Sequence, residues 1–199
     1  MLALISMFAS TALAGEMRVH IEGGTLPTGE ALDSYSVSGN NLRHGGLRGG
    51  YSLTDKLELT ASFSAGTSAS RVDYVEYPEE DLALRLNTWT YGLGARYIVG
   101  NGGLHPYALA QARLFQGGLR MDGSPSRDDN LDQFVERAFS PGAYGALGLE
   151  LVVLDEKPLA PSLFVEAGYS WLMDARFGDA GSVSDMRGVA GRAGIGVVF

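Results

Sequence analysis

The sequence predicts an all-β protein: an eight-stranded antiparallel up-and-down transmembrane β-barrel. Three observations predict it. Apolar and polar side chains alternate in runs of about ten residues, the length a tilted strand needs to cross a bilayer. The connections between those runs alternate between short and long. The polar face of the runs is rich in glycine, serine and alanine with single mid-strand charges, which suits a narrow closed interior better than a water-facing sheet.

Composition narrows the classes further. The 199 residues carry a formal charge of -8, with 28 glycines and no cysteine. Disulfides and thiolate metal sites are therefore excluded. The absence of a basic tract argues against nucleic acid as a partner. Apolar residues are too plentiful and too regularly spaced for a disordered chain.

The chain opens MLALISMFASTALAG, an apolar run followed by Ala12-Leu13-Ala14. That pattern predicts a signal peptide over 1–14, cleaved after Ala14, with the barrel domain over 15–199. The run is shorter than the ~20 residues a membrane-spanning helix takes.

The predicted strands follow in order. Met17, Val19 and Ile21 alternate with Arg18, His20 and Glu22. Leu47 to Leu53 alternate with Arg48, Gly50 and Ser52. Leu57, Leu59, Ala61, Phe63 and Ala65 alternate with Glu58, Thr60, Ser62 and Ser64. Trp89 to Val99 alternate with Thr90, Gly92, Gly94 and Arg96. The fifth, PYALAQARLF, is irregular. Ala143 to Val153 and Leu163 to Met173 form the sixth and seventh, and Val189 to Phe199 the eighth. Thr54-Asp55-Lys56, Gly100 to Leu104 and Asp155 to Ala160 are short turns. Gly24 to Asn41, Thr67 to Leu84, Gly117 to Ser140 and Gly178 to Met186 read as long loops. Pro106, Pro141 and Pro161 fall at expected strand starts, where a missing N–H does least harm.

Aromatic residues on the apolar face gather near strand ends: Tyr51, Tyr97, Tyr107 and Phe199 at one, Trp89, Tyr169, Trp171 and Phe177 toward the other. Such girdles belong at membrane–water boundaries. The fifth strand conflicts with this pattern. If Tyr107 and Leu109 point outward, Gln111 and Arg113 follow them into lipid, so the reading places a β-bulge near Ala108 to Ala110.

The signal peptide, the turn stretch from Tyr51 to Leu59 and the terminal Ile195, Val197 and Phe199 together resemble the bacterial outer-membrane eight-stranded barrels of the OmpA/OmpX type. The resemblance implies a location in the cell outer membrane. It also implies that Ile195, Val197 and Phe199 serve as an assembly signal for the barrel-assembly machinery, and it points to outer-membrane lipid and lipopolysaccharide as surroundings. It says little about activity, since one fold hosts many functions.

An eight-stranded barrel is just wide enough to be filled by side chains. The expected interior charge network is Arg18, His20, Glu22, Arg48, Glu58, Arg96, Glu150, Glu166, Asp174, Arg176 and Arg192. Buried charges must pair. Glu58 with Arg96, Glu166 with Arg192, and Glu22 with Arg48 are the expected partners. The leading function is envelope structure or surface interaction through exposed acidic loops, by a monomer without catalytic residues, metal or cofactor. The alternatives are a narrow channel or an OmpW-like conduit for hydrophobic ligands. A lipid A-modifying enzyme is a further alternative, but the deacylases' His-x-Ser is absent at His20, His44 and His105. Glu76, Glu79, Glu80 and Asp81, with Asp122, Asp128, Asp129, Asp132 and Glu136, form acidic loops able to attract divalent cations. Asp128 to Ala138 has helical apolar spacing.

Overall fold

The computed structural model describes residues 15–26, 42–72, 82–100, 102–122, 135–153, 159–176, 182–183 and 186–199. The expected signal peptide, Phe177 and most of the four long connections lie outside them. Eight strands form the barrel: β1 (Met17–Leu26), β2 (Leu42–Ser52), β3 (Leu57–Val72), β4 (Leu82–Ile98), β5 (Leu104–Asp122), β6 (Val135–Val152), β7 (Ala160–Leu172) and β10 (Arg187–Val198). Two short strands, β8 (Ala175–Arg176) and β9 (Ser182–Val183), pair with each other outside it.

Each barrel strand pairs antiparallel with its sequence neighbour, and β1 closes on β10. At the seam, Met17 and Phe199 exchange both backbone hydrogen bonds, at 3.2 and 2.8 Å. Closure matters in hydrocarbon, where an unpaired backbone group has no water to bind. The turns are local chemistry. Thr54 Oγ1 accepts from the Leu57 N–H at 3.0 Å between β2 and β3, and Gly100 and Gly102 take φ values of 97° and 103° between β4 and β5, where a Cβ is strained.

The outer wall exposes Ile21, Leu47, Phe63, Leu93, Leu147, Val165, Val189 and Ile195. A monomer in water does not present such a continuous apolar band; lipid tails account for it. Tyr97 and Phe199 stand outward toward the short-turn end, Trp89, Tyr169 and Trp171 toward the other.

Three expectations are corrected. First, β3 to β6 run 16 to 19 residues, well beyond the expected ten. Pairing continues to Val72↔Leu82, Ala83↔Asp122 and Arg120↔Val135. Backbone pairing needs no continuous apolar stripe, so strands continue where the outward face turns mixed or polar. Thr67 to Val72, Leu82 to Leu84, Gly117 to Asp122 and Val135 to Ser140 are thus strand, not loop, and Val135 to Ala138 are not helical.

Second, β5 has no bulge. Its register is unbroken against β4 and β6 from Tyr107 to Arg120. Tyr107, Leu109, Gln111 and Arg113 all point inward, and Ala108, Ala110, Ala112 and Leu114 outward. Tyr107 therefore leaves the girdle. The two charged or amide side chains set the face, because exposing them to lipid costs more than enclosing a leucine in the lumen.

Third, Pro141 sits within β6, not at its start. It does so where β7 leaves the sheet: Gly142↔Leu172 is the last pair, and beyond it the Pro141 carbonyl accepts from the Met173 N–H at 3.0 Å. The missing proline N–H faces that departing strand.

Candidate functional site

Among the described residues, ionisable side chains converge in the lumen. Alternation on β1, β2, β3, β4, β6, β7 and β10 turns Arg18, His20, Glu22, Arg48, Glu58, Arg96, Glu150, Glu166 and Arg192 inward, all buried. Inward glycines make the room. A Cβ on Gly50 would collide with the Glu58 carboxylate, and one on Gly148 with the Tyr107 ring.

The charges form two linked layers. In the lower layer, toward the termini, Arg18 Nη1 and Arg96 Nη2 donate to Glu58 Oε2 at 2.6 and 2.7 Å. Arg96 also lies 3.0 Å from Glu150 Oε2. His20 Nε2 lies 2.8 Å from Glu150 Oε1 and 3.0 Å from Ser162 Oγ. In the layer above, Arg48 grips Glu166 through two nitrogens, both at 2.8 Å, the fork geometry that gives a guanidinium its strongest contact. Arg48 also reaches Glu22 at 2.7 Å, and Arg192 Nη1 donates to Glu22 at 3.0 Å. Tyr107 and Tyr144 hydroxyls donate to the two Glu166 oxygens at 2.9 and 3.1 Å. Arg96 lies over the Tyr107 ring at 4.8 Å, tying the layers together.

The expected pairs fare differently. Glu58 meets Arg96, and Glu22 meets Arg48. Glu166 and Arg192 are aligned in register but only 3.9 Å apart at their closest; Glu166 spends its oxygens on Arg48 and the two tyrosines. Asp174 and Arg176 are not in the lumen. Both are exposed, because β7 ends at Leu172 and the chain leaves the barrel there. Sequence reasoning placed Tyr144 on the inward face and turned Gln111 and Arg113 inward by means of the bulge; it missed Tyr107, Leu109 and His44 as interior residues. Tyr107 and Leu109 were findable, since the polarity of Gln111 and Arg113 on the same straight face outweighs their apolar character.

Above the charged layers, toward the longer connections, buried apolar side chains stand among buried Thr88, Thr90 and Ser140. Leu26, Leu42, Phe115, Leu172 and Met186 are all buried there. His20, Glu150 and Ser162 form the only cluster that resembles a hydrolase triad among the described residues. Both contacts fall on the same imidazole nitrogen. A relay needs opposite nitrogens, and this serine is buried. No group of three His, Asp or Glu able to hold a metal occurs among the described residues. Most of the acidic loop positions lie outside them.

Comparison with solved structures follows the topology. OprG of Pseudomonas aeruginosa aligns at a TM-score of 0.58 and 15% identity, covering 93% of this chain and 96% of that one. The fold is that of the eight-stranded outer-membrane barrels. Neisserial surface protein A aligns over 92% of this barrel and 95% of its own chain, at 0.54 and 13% identity. Ail, the attachment invasion locus protein of Yersinia pestis, aligns over 93% and 99%, at 0.53 and 15%. No family model matches the sequence, and no curated protein matches it.

Proposed function

We propose that this chain is a non-conducting monomeric barrel of the outer membrane, acting in envelope structure and surface interaction rather than in catalysis or passage. One observation carries the reading: two layers of paired charges cross the lumen. An ion entering would have to break buried pairs, and removing one partner of such a pair costs about 3–5 kcal/mol. Planar-bilayer recording of the purified protein tests it. No steady single-channel current is expected; reproducible unit conductance would overturn the reading. The lack of a relay at His20, Glu150 and Ser162 supports a non-catalytic role. Unaltered lipid A by mass spectrometry after overexpression is the expected outcome.

The outer wall supports lipopolysaccharide as its lipid partner. Arg43, Arg137 and Arg187 face outward at the end with the longer connections. Each stands beside an aromatic of the girdle: Arg187 is the register partner of Trp171, Arg43 shares a surface groove with Trp89, and Arg137 lies two residues from Phe139 on the same face. Guanidinium groups at that height match a phosphorylated leaflet. Replacing all three with glutamine should lower lipopolysaccharide co-purification several-fold and leave the fold intact. Unchanged co-purification would remove this partner. The divalent cations expected at the acidic loops fit the same leaflet, as bridges between carboxylates and phosphates.

The terminal strand supports the assembly role. Ile195 and Phe199 point into lipid, while Val197 is half-buried beside them. Phe199→Ala should slow insertion by the assembly machinery and leave the stability of the assembled barrel nearly unchanged.

A further inference from the structure

We propose that the upper lumen binds a small inorganic anion at Arg113, against the face of the Tyr144 ring. Five arginines are buried among the described residues. Arg18, Arg48, Arg96 and Arg192 each reach a carboxylate at 2.6 to 3.0 Å. Arg113 is equally deep, 4% exposed, and its Nε, Nη1 and Nη2 have no hydrogen-bond partner. It stacks on Tyr144 at 3.7 Å from the ring centre.

Further polar groups without a hydrogen bond lie in the same part of the lumen. Ser170 is the register partner of Tyr144, and its buried hydroxyl has no partner. Arg192 lies over the ring at 4.5 Å with its Nε unmatched. His44, within the field of Arg192, has neither ring nitrogen bonded. The nearby acids are already committed: Glu166 to Arg48 and both tyrosines, Glu22 to Arg48 and Arg192.

What this chamber lacks is negative charge. A guanidinium does not release its proton, so Arg113 cannot become neutral as a buried lysine does. The ring face offsets part of its desolvation, and water would satisfy its N–H groups while leaving the charge uncompensated. An anion does both. Phe115, two residues farther along β5, and Leu172, paired with Gly142 beside Arg113, close the chamber with apolar side chains. The occupant assigned to it is a small monovalent anion, a halide or nitrate.

The experiment uses the full barrel in detergent, with bromide as the probe and the much bulkier gluconate at equal ionic strength as the control. Bromide should raise the apparent unfolding temperature of the native barrel by roughly 2–4 °C. Crystals grown in bromide should show an anomalous peak beside Arg113. Arg113→Gln should abolish both effects. Equal curves in bromide and gluconate, a halide effect that survives Arg113→Gln, or peaks only elsewhere (an adventitious ion only) would overturn the site. Should Arg113→Gln fail to assemble, the salt series and the anomalous map of the native barrel decide on their own.

Discussion

At the residue scale, Glu166 is the hub of the lumen. It takes two bonds from Arg48 and one each from Tyr107 and Tyr144. Glu166→Gln removes one of the two carboxylates that compensate Arg48 and should cost at most about 3–5 kcal/mol, read as a lowered temperature of the heat-modifiable gel shift. Tyr107→Phe removes a single donor and should cost about 1–3 kcal/mol. Gly148 offers a sharper test of packing. Gly148→Val would drive into the Tyr107 ring, an overpacking cost of about 1–3 kcal/mol. Combining it with Tyr107→Ala should recover part of that loss, since the two changes share one space. Strict additivity would show that the glycine is not there to admit the ring. None of this was readable along the chain. The inward face of the charged residues was, because a charge in lipid is costly wherever it stands; the choice of partner was not, because it depends on which side chains meet across the lumen.

At the scale of the element, β5 teaches the most. Two of its apolar inward residues, Tyr107 and Leu109, imitate an outward pattern that a bulge would have to reconcile with Gln111 and Arg113. Gln111 and Arg113 carry the stronger preference, and one straight register satisfies them. A lipid-phase quencher should reach a fluorophore placed at Ala108 or Ala110 and spare one placed at Tyr107 or Leu109. Quenching at Tyr107 or Leu109 would restore the bulge. Leu114→Arg should destabilise the barrel by about 2–4 kcal/mol near the midplane. The added length of β3 to β6 has a related origin. Residues such as Thr67, Gly117 and Gly118 carry no apolar alternation, yet their backbones pair. Periodicity reports the part of a strand that touches hydrocarbon and is silent about the part that projects beyond it.

At the scale of the whole molecule, closure and filling act together. With β1 paired to β10, the ring itself has no free edge to recruit a second copy, although β3 past Thr67 and β6 before Gly142 project beyond β2 and β7; closure of the ring supports the proposed monomer. The filled lumen ties strands that are distant in sequence: Arg18 to Glu58, Arg48 to Glu166, Arg192 to Glu22. Breaking one such tie should loosen the whole wall rather than one hairpin. A variant that removes both Arg48 and Glu166, as Arg48→Leu with Glu166→Leu, should therefore be more stable than either single change, and bilayer recording should show whether current appears once the layer is gone.

The amino-acid sequence alone determined the class of fold, the lipid-facing side of most strands, the identity of nine lumen charges and the two that pair as expected with Glu58 and Glu22. It could do so because lipid imposes a rule on every outward position, and that rule is local. Only the tertiary structure decided that Asp174 and Arg176 stand outside, that Tyr107 points inward and joins Tyr144 on Glu166, and that Arg113 is left without a carboxylate. Those outcomes depend on where β7 ends and on which side chains face each other across a closed ring, and no stretch of chain contains that information by itself.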